Sequence, residues 1–310
     1  MANKVYQLVN QRILEELRSG VVPWQKPWSV DRSYSGVFHR NCITGKAYKG
    51  TNVILLSLAC QKNPQYLKLW LTFKQAKRLK GYIAKNSKGQ LVIYWSIYVK
   101  KNGKLIKIQD IDNIEDIDRD DIIPILRYYI VFNLIDLRPE SLRDKLIDKY
   151  NKLANKNKLN ISPIDHAEGI INKYIDKPPI FWDDVKAYYS PLRDEVHMPP
   201  KDSFISREEI YSTLFHELVH STGHPKRLHR FDITKFDHDE YSLEELTAEI
   251  GCCYLLNIAG INVDKVFKNS VAYINGWYSQ LSKNPKYFIW AASRAQKAAD
   301  YILGIKQKID

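Results

Sequence analysis

Two histidines and a glutamate in the run HELVH, residues 216–220, have the types and the spacing that metal-assisted hydrolysis requires. An α-helix has 3.6 residues per turn, so His216 and His220 share one face and can bind one metal ion. Glu217 would lie beside that ion as a general base. This spacing is typical of zinc hydrolases, chiefly metallopeptidases, and it predicts one divalent metal, most simply Zn2+, and attack by water.

The flanking residues predict that this run lies near the end of a helix. Ser206 and Glu209 fit a capping box at the amino-terminal end of that helix. Gly223 ends the helix, and Pro225 prevents its continuation. The alternative is a solvent-facing helix that carries two histidines by chance.

A catalytic zinc ion usually has three protein ligands, so a third must come from elsewhere in the chain. In the metzincin pattern it would be a histidine six residues after His220, but Lys226 occupies that position, which excludes this class. His224 is closer, but turn-forming residues on both sides of it break the helix. We interpret His224 either as a group that hydrogen-bonds to a metal ligand or as a group on the substrate side of the site. The alternative is an ordinary loop histidine.

Glu245 and Glu249 lie four residues apart in the next predicted helix. We predict that Glu245 binds the metal and that Glu249 accepts the N–H of a ligating histidine, as carboxylates around metal sites commonly do. Ser242 and Glu245 also fit a capping box, which would occupy Glu245 with the backbone and make Glu249 the ligand. Tyr241 and His224 are candidates for additional hydrogen-bond donors.

These residues predict a mechanism for the hydrolysis of peptides. Zinc lowers the pKa of a bound water to about 7. Glu217 would take the proton of that water and later deliver it to the leaving amine. Upstream, residues 187–198 predict a short strand that ends at Pro199 and Pro200. Such a strand could align an extended peptide by strand addition, or be an ordinary edge strand.

Positive charge is concentrated in the first third of the 310-residue chain. Residues 1–110 contain 20 Lys or Arg and 4 Asp or Glu, a net charge of +16, whereas the other 200 residues contain 27 and 31, a net charge of −4. A field segregated in this way attracts polyanions and accelerates their capture. Residues 110–121 have the opposite charge, because seven of these twelve are acidic, and we interpret them as a solvated loop between strands.

Aromatic residues accompany the cations of the first third, as they do in surfaces that bind single-stranded nucleic acid. Bases stack on aromatic faces, for about 1–3 kcal/mol each, while Lys and Arg follow the phosphates. The alternative is that each tryptophan packs inside the protein and that the lysines form a solvated face. The net charge of residues 1–110 favours DNA as the partner. We expect single-stranded DNA first, and double-stranded DNA as a second possibility. We predict contacts with it at Trp24, Lys26, Trp28, Arg40, Asn41, Lys46, Tyr48, Lys49, Trp70 and Lys74.

The order of predicted elements favours an α+β protein with two domains. In the first half, two helices and three strands are predicted at 4–19, 72–80, 91–99, 105–108 and 125–137. The pair Asn102-Gly103 predicts a tight hairpin between the first two of these strands. A polar stretch rich in Lys and Asn follows. It places a DNA-binding domain at 1–140, a linker at 141–160 and a metallopeptidase domain at 161–310. In the second domain, a small sheet, the HELVH helix, the Glu245 helix and two closing helices are predicted.

The composition shows no pattern of a membrane or secreted protein. The apolar run at 53–58 is too short to span a bilayer, and no signal-peptide pattern opens the chain. The four cysteines include no CxxC spacing, which predicts reduced thiols. We therefore expect a cytoplasmic protein without a membrane partner.

With these residues in place, the chain resembles the ArdC-type antirestriction proteins of conjugative elements over nearly its whole length. The matching stretches are 13–28, 40–56, 70–77, 128–133, 216–230, 241–251 and 293–304, and the acidic residues 110–121 look like an insertion relative to the family pattern. The resemblance implies an amino-terminal domain that binds single-stranded DNA and a carboxy-terminal zincin-type metallopeptidase domain. It implies protection of an incoming mobile element from host restriction. It also supports His216 and His220 as ligands, Glu217 as the base, and a glutamate of 244–249 as the third ligand.

Three functions are compatible with these patterns. The first is an antirestriction protein that binds single-stranded DNA and carries an active gluzincin-type metallopeptidase. The second is a DNA-binding protein whose metal domain is structural or regulatory. The third is a plain intracellular metalloprotease whose basic segment recruits an acidic protein. A steep loss of DNA affinity with salt would exclude the third, and replacement of Glu217 would separate the first two.

Overall fold

The computed structural model describes residues 2–25, 38–101, 104–108, 121–156, 161–230, 238–263, 266–267 and 269–305. Lys26, Trp28 and nearly all of the acidic stretch at 110–121 lie outside these ranges. The helices within them are α1 (Ala2–Arg18), α2 (Thr51–Lys62), α3 (Phe73–Arg78), α4 (Glu140–Lys156), α5 (Pro163–Lys173), α6 (Arg207–Ser221), α7 (His238–Ala259), α8 (Val271–Lys283) and α9 (Tyr287–Ile302). Among the described residues, no helix combines the length and apolar character needed to cross a membrane.

The strands of the described ranges form three sheets. They are β1 (Arg40–Asn41), β2 (Leu69–Leu71), β3 (Tyr82–Ile83), β4 (Gln90–Lys101), β5 (Lys104–Lys107), β6 (Ile122–Asn133), β7 (Leu137–Arg138), β8 (Ile180–Phe181), β9 (Tyr188–Ser190) and β10 (Glu195–His197). The large sheet has the order β1-β2-β6-β4-β5, and only β1 and β2 are parallel in it. The order β8-β10-β9 forms a second sheet, and β3 pairs with β7. This mixture confirms the predicted α+β class.

The centre of the large sheet consists of β4 and β6, because both strands are rich in β-branched and aromatic residues. Lys101 of β4 lies opposite Lys104 of β5, which confirms the predicted hairpin, although its turn residues 102–103 are outside the described ranges. The predicted strand 125–137 corresponds to β6. That strand ends early because the side chain of Asn133 caps a single 3-10 turn.

The sequence patterns do not predict α2, because its apolar residues occur on more than one side. Leu56 and Ala59 pack with Trp70 under the large sheet, whereas Ile54 and Leu55 belong to the main core of the second half. A helix that is buried on two sides lacks the polar stripe of an amphipathic helix. α2 therefore lies between the two halves of the molecule.

The predicted linker at 141–160 is wrong over most of its length, because residues up to 156 form α4. Leu142 and Leu146 pack against the cluster that contains the buried leucines of β2. The hydroxyl of Tyr150 donates a hydrogen bond of 3.2 Å to the backbone carbonyl of Cys42. Several charged residues between these contacts are exposed, and they gave the segment its linker-like composition.

Helix α1 packs with the second half although it begins the chain. Ile13 is fully buried in a cluster that includes residues of α7 and α9. The side chain of Asn10 donates a hydrogen bond of 2.9 Å to the carbonyl of Leu281 in α8. The predicted first domain, 1–140, is therefore divided in space, and residues 2–25 pack against the metallopeptidase half.

Helices α6 and α7 approach each other closely at a glycine. A Cβ atom at Gly251 would lie 2.9 Å from both terminal methyl carbons of Val219. A residue without a side chain avoids this overlap. The close contact holds α7 against the helix that carries HELVH.

Candidate metal centre

The HELVH residues lie on α6, which begins where the sequence predicts. Oγ of Ser206 accepts a hydrogen bond of 3.2 Å from the backbone N–H of Glu209. The carboxylate of Glu209 accepts a hydrogen bond of 3.0 Å from the N–H of Ile205, one residue further back than a capping box requires. The N-cap is confirmed, and the reciprocal bond is shifted by one residue.

His216, His220 and Glu245 converge on one point. The Nε2 atoms of the two histidines are 3.1 Å apart. Oε2 of Glu245 lies 3.6 Å from Nε2 of His216, and Oε1 lies 3.4 Å from Nε2 of His220. Among the described residues, this is the only group of three or more His, Cys, Asp or Glu whose ligand atoms lie within 4.8 Å of one another. Two imidazoles and a carboxylate fit zinc or a similar divalent ion and leave a fourth position open.

The start of α7 distinguishes Glu245 from Glu249 as the third ligand. The helix begins at His238, so Ser242 lies inside it and is not its N-cap. The alternative in which capping occupies Glu245 is therefore wrong. With its carboxylate facing both imidazoles, Glu245 is the glutamate that the geometry favours.

Glu244 contacts the ring nitrogen of His220 that does not face the ligand triad, and the sequence patterns do not predict this contact. Its Oε1 lies 3.4 Å from Nδ1 of His220, on the side of the ring away from Glu245. Arg230 donates hydrogen bonds of 2.6 and 3.0 Å to the Glu244 carboxylate and one of 2.8 Å to the carbonyl of Val219. Glu244 thus orients His220 and favours the tautomer whose Nε2 can bind a metal.

The carboxylates around His220 make the site favourable for positive charge. Burial alone would lower the pKa of His220, but hydrogen bonds with Glu244 and Glu245 raise it to about 10. Burial alone would raise the pKa of Glu245, but hydrogen bonds with both histidines hold it far below its usual range. Without a metal, the site therefore retains a proton on His220. A divalent cation satisfies the same field once that proton leaves.

The predicted base and one predicted donor border the ligand triad. Glu217 is only 8% exposed and lies within electrostatic range of His220 and Tyr241. Tyr241 is 54% exposed. The charge of Glu245, together with burial and a hydrogen bond, raises the pKa of the Tyr241 hydroxyl, so this group stays protonated and able to donate.

His224 contacts the turn that follows α6. Its Nδ1 accepts a hydrogen bond of 3.2 Å from the backbone N–H of Lys226 and lies 3.9 Å from Oδ2 of Asp194. Arg227 donates to the same aspartate, with one bond of 2.9 Å. These contacts favour the loop interpretation of His224 over a position beside the ligands.

Glu249, predicted to orient a histidine, is held by two distant parts of the chain. Its Oε2 accepts a hydrogen bond of 2.9 Å from Nε1 of Trp24 and another from the hydroxyl of Tyr273. The carboxylate also lies within electrostatic range of His216. Its role as the orienting group stays a prediction.

Four residues that were predicted to contact DNA lie inside the protein. Trp24 and Trp70 are fully buried, and Nε1 of Trp70 donates a hydrogen bond of 3.0 Å to Nδ1 of His39. Asn41 and Tyr48 are also buried. A base cannot stack on an enclosed ring, so the predicted stacking role of both tryptophans is wrong. They pack as large aromatic residues commonly do.

The described cations among the predicted DNA contacts lie at or near the surface. Lys46 and Lys74 are exposed. Arg40 is half-buried, and its guanidinium donates a hydrogen bond of 3.1 Å to a backbone carbonyl in the following turn. Lys49 forms an ion pair of 2.9 Å with Asp300 of α9 and so connects the two halves. Lys46 and Lys74 stay predicted phosphate contacts.

The large sheet exposes aromatic residues that the sequence patterns do not single out. Tyr94 of β4 and Tyr128 of β6 have exposed fractions of 43% and 44%. Their positions in the register differ by one, so they lie on opposite faces of the sheet. Next to Tyr94, the Tyr129 ring packs edge-on at 5.6 Å, and the Arg127 guanidinium lies over the Tyr98 ring at 5.3 Å. We define the tyrosine strip as Tyr94, Tyr98, Arg127 and Tyr129.

The predicted single strand at 187–198 is a hairpin. β9 and β10 are antiparallel, with Tyr189 opposite Val196. Between them, Asp194 has a positive φ of 57°. β10 is the central strand of its sheet, and β9 lies at the edge. Alignment of a peptide on β9 stays a prediction.

Family models match both halves of the chain. A model described as the N-terminal domain of anti-restriction factor ArdC matches residues 3–132. A model described as a zincin-like metallopeptidase matches residues 165–294, which contain the whole ligand triad. The fold and the site thus define a zincin-like metallopeptidase domain joined to an ArdC-type amino-terminal domain.

Two similar crystal structures identify the family. They are the antirestriction ArdC protein of plasmid R388 in metal-free and Mn(II)-bound form, each 30% identical to this chain, with TM-scores of 0.69 and 0.70. The matches cover 96% and 97% of both chains in each pair. The chain belongs to the ArdC family of antirestriction proteins. The zincin-like domain and the Mn(II)-bound relative support a divalent metal as its cofactor.

Curated relatives extend this similarity to longer proteins. Two proteins named DNA primase TraC, from Escherichia coli, are each 30% identical over 98% of this chain, which spans only 27% and 20% of their lengths. The uncharacterized protein y4eC of Sinorhizobium fredii is 26% identical over 96% of this chain and 91% of its own length.

Proposed function

We propose that the chain binds single-stranded DNA through its basic amino-terminal domain and hydrolyses a peptide or protein at the metal centre, as an antirestriction protein of a mobile element. The ligand triad beside Glu217 carries this proposal. Structural zinc sites usually have four protein ligands, whereas catalytic sites have three and an open position. Three ligands with a general base beside them favour hydrolysis over a purely structural metal.

Each residue of the site has a defined task in this reaction. A bound zinc ion would polarise the scissile carbonyl and lower the pKa of a water molecule. Glu217 accepts the proton of the attacking water and returns it to the leaving amine. The Tyr241 hydroxyl donates a hydrogen bond to the developing oxyanion. Glu244 holds His220 in the orientation that ligation requires.

The tyrosine strip is the DNA-binding surface that we propose. Tyr94 offers an exposed ring on which a base can stack, and Arg127 provides positive charge beside it. Tyr129 packs against the buried cluster that contains Tyr48 and Trp70. In this proposal, the buried aromatic residues support the binding surface, while the excess positive charge of residues 1–110 attracts the phosphates.

The chemistry of the thiols supports a reducing compartment. All four cysteines lie in the described ranges and are free, namely Cys42, Cys60, Cys252 and Cys253. Proteins of oxidising compartments commonly use cysteines in disulfides, and cytosolic proteins rarely do. We therefore propose a cytoplasmic location.

Glu217→Gln tests the proposed function, because it preserves volume and removes the base. We expect full zinc content, unchanged affinity for an oligo-dT strand, and peptide hydrolysis reduced by about 10²- to 10⁴-fold. Hydrolysis would be measured against a peptide library and DNA affinity at low and high salt. Equal hydrolysis by the variant and the wild type would refute the catalytic assignment.

The same variant tests the link between hydrolysis and antirestriction. Protection of DNA during conjugative transfer into a restricting host is expected to fall with the loss of hydrolysis. Full protection by the variant would show that the metal domain serves antirestriction without proteolysis. Failure of the wild type to bind oligo-dT at low salt would refute the DNA-binding part.

A further inference from the structure

The amino-terminal segment reaches the metallopeptidase domain through a buried tryptophan. Trp24 lies in the 3-10 helix Pro23–Gln25 and is fully buried. Its ring packs edge-on against Trp277 and at a tilt against Phe288, with centroids 6.0 and 5.9 Å apart. Its Nε1 donates a hydrogen bond of 2.9 Å to Oε2 of Glu249. The contact therefore combines packing with a directed bond to a carboxylate.

Tyr273 of α8 completes the cluster around Glu249. Its hydroxyl donates to the same Oε2 atom and accepts a hydrogen bond of 3.0 Å from Nε2 of Gln25. Both bonds to Glu249 use one oxygen, so Oε1 takes part in neither of them. Glu249 follows Glu245 by one helical turn on the same side of α7, and it lies within electrostatic range of His216.

We infer that Trp24 and Tyr273 are positioning residues for the metal centre and that they act through Glu249. A buried carboxylate is costly unless donors satisfy it, and these two residues supply the donors. Partners of this kind fix the orientation of metal ligands and tune metal affinity. The inference rests on the proposed metal site, but not on peptide hydrolysis.

This assignment changes the boundary of the metal domain. Trp24 lies in the part of the chain that matches the ArdC amino-terminal family model, residues 3–132. Its hydrogen bond nevertheless ends on α7, one turn from a proposed metal ligand. Residues of the amino-terminal half would therefore contribute to metal affinity without touching the ion.

A double-mutant cycle in the full-length protein tests this inference. The variants are Trp24→Phe, Glu249→Gln and both together, and the readouts are zinc affinity by chelator competition and the visible spectrum of bound Co(II). We expect affinity to fall about 10- to 100-fold for Glu249→Gln and about 3- to 10-fold for Trp24→Phe. The double variant should bind as Glu249→Gln does, because Trp24 acts only through that carboxylate.

Trp70→Phe is the matched control. Trp70 is also fully buried, and its Nε1 also donates a hydrogen bond, of 3.0 Å, but to His39 in the other domain. The Trp70→Phe variant should therefore have a lower free energy of unfolding in the metal-free state and the same zinc affinity as the wild type. Wild-type zinc affinity in Trp24→Phe would overturn the inference. So would losses that multiply in the double variant.

Tyr273→Phe provides an independent arm if Trp24→Phe fails to fold. It removes only the other donor to Glu249 and should also weaken zinc binding about 3- to 10-fold. Unchanged affinity in this variant would likewise contradict the inference. A wild-type protein that binds zinc but cleaves no peptide would refute the proposed hydrolysis alone, because every readout of this cycle is metal binding.

Discussion

The metal centre and the tyrosine strip are both polar surfaces, but their charged and aromatic groups are held in opposite ways. At the metal centre, Glu244 is buried between Arg230 and His220, and Glu245 faces two imidazoles. On the strip, Tyr94 has almost half of its surface exposed. Paired, enclosed groups suit one ion and one proton path, whereas exposed rings accept any base. In the proposed function, this contrast corresponds to one fixed reaction at the metal centre and to sequence-tolerant DNA binding at the tyrosine strip.

His216→Ala gives the largest expected effect and tests the fixed side of this contrast. The loss of one of three ligands should weaken zinc binding by more than about 100-fold, which exceeds the effect expected for a group behind a ligand. Oligo-dT affinity should not change, because the tyrosine strip lies in the other domain. Metal content after dialysis against a weak chelator measures the first effect. Zinc at full stoichiometry in the variant would contradict the ligand assignment.

Tyr94→Ala tests the proposed DNA binding at the tyrosine strip, and Tyr128→Ala is its control. The two residues have nearly equal exposed fractions on opposite faces of the same sheet. Loss of one stacking ring should cost about 1–3 kcal/mol, or a roughly 5- to 150-fold loss of oligo-dT affinity, for Tyr94 only. Fluorescence anisotropy over a series of salt concentrations would measure it.

The salt series separates stacking from charge. The wild type should lose affinity with a slope in log salt of about −0.7 per neutralised phosphate, and Tyr94→Ala should keep that slope. A larger loss for Tyr128→Ala than for Tyr94→Ala would move the binding surface to the opposite face.

The pH dependence of stability tests the coupling of His220 to its carboxylates. The pKa of His220 is about 10 in the folded metal-free protein and about 6.5 in an unfolded chain. A raised folded pKa stabilises the protein fully below pH 6.5, and this stabilisation is lost as the pH rises towards 10. Urea unfolding of the metal-free protein should show a loss of about 1–4 kcal/mol across that window.

His220→Gln is the control for this window, because glutamine does not titrate. It should flatten the decline between pH 6.5 and 10. Zinc should reverse the trend in the wild type, since ligation requires the neutral imidazole and so strengthens as the proton leaves. Identical profiles for the variant and the metal-free wild type would refute the coupling.

A pair of glycine substitutions, one of which has the smallest expected effect of all, tests how tightly the metal helices are packed. At Gly251 a Cβ would overlap Val219, so Gly251→Ala should destabilise the protein by about 1–3 kcal/mol. Gly276 in α8 has open space at the same point, so Gly276→Ala should stabilise it by about 0.5–1 kcal/mol. Thermal unfolding measures both. Equal effects would mean that α6 and α7 are not in tight contact.

The parts of the fold and of the metal site that the sequence predicts depend on local geometry. The helical period places His216 and His220 on one face, and the same period relates Glu245 to Glu249. The N-cap at Ser206 and the hairpin between β4 and β5 also depend on residues close in the chain. Short-range steric and hydrogen-bond rules are enough to determine such features.

The missed or wrong features all depend on burial or on distant partners. Composition marks Trp24 and Trp70 as candidates for stacking, but the fold encloses both rings. Adjacent residues of a helix direct their side chains differently. The neighbouring positions of Glu244 and Glu245 in the sequence therefore do not predict that both side chains contact His220. α4 has the composition of a linker because only its inward side packs.

By itself, the sequence determined the histidine pair of the candidate metal site, the family and the segregation of charge, because residue types, short spacings and motif matches carry that information without coordinates. Only the tertiary structure decided that Glu245 faces the histidines, that Glu244 stands behind His220, and that the amino-terminal segment packs against α7. The reason is physical: a side chain acquires its partner and its solvent exposure from whatever the folded chain brings against it, and those neighbours are far away in sequence. Glu249 and Trp24, 225 positions apart, share a hydrogen bond for that reason.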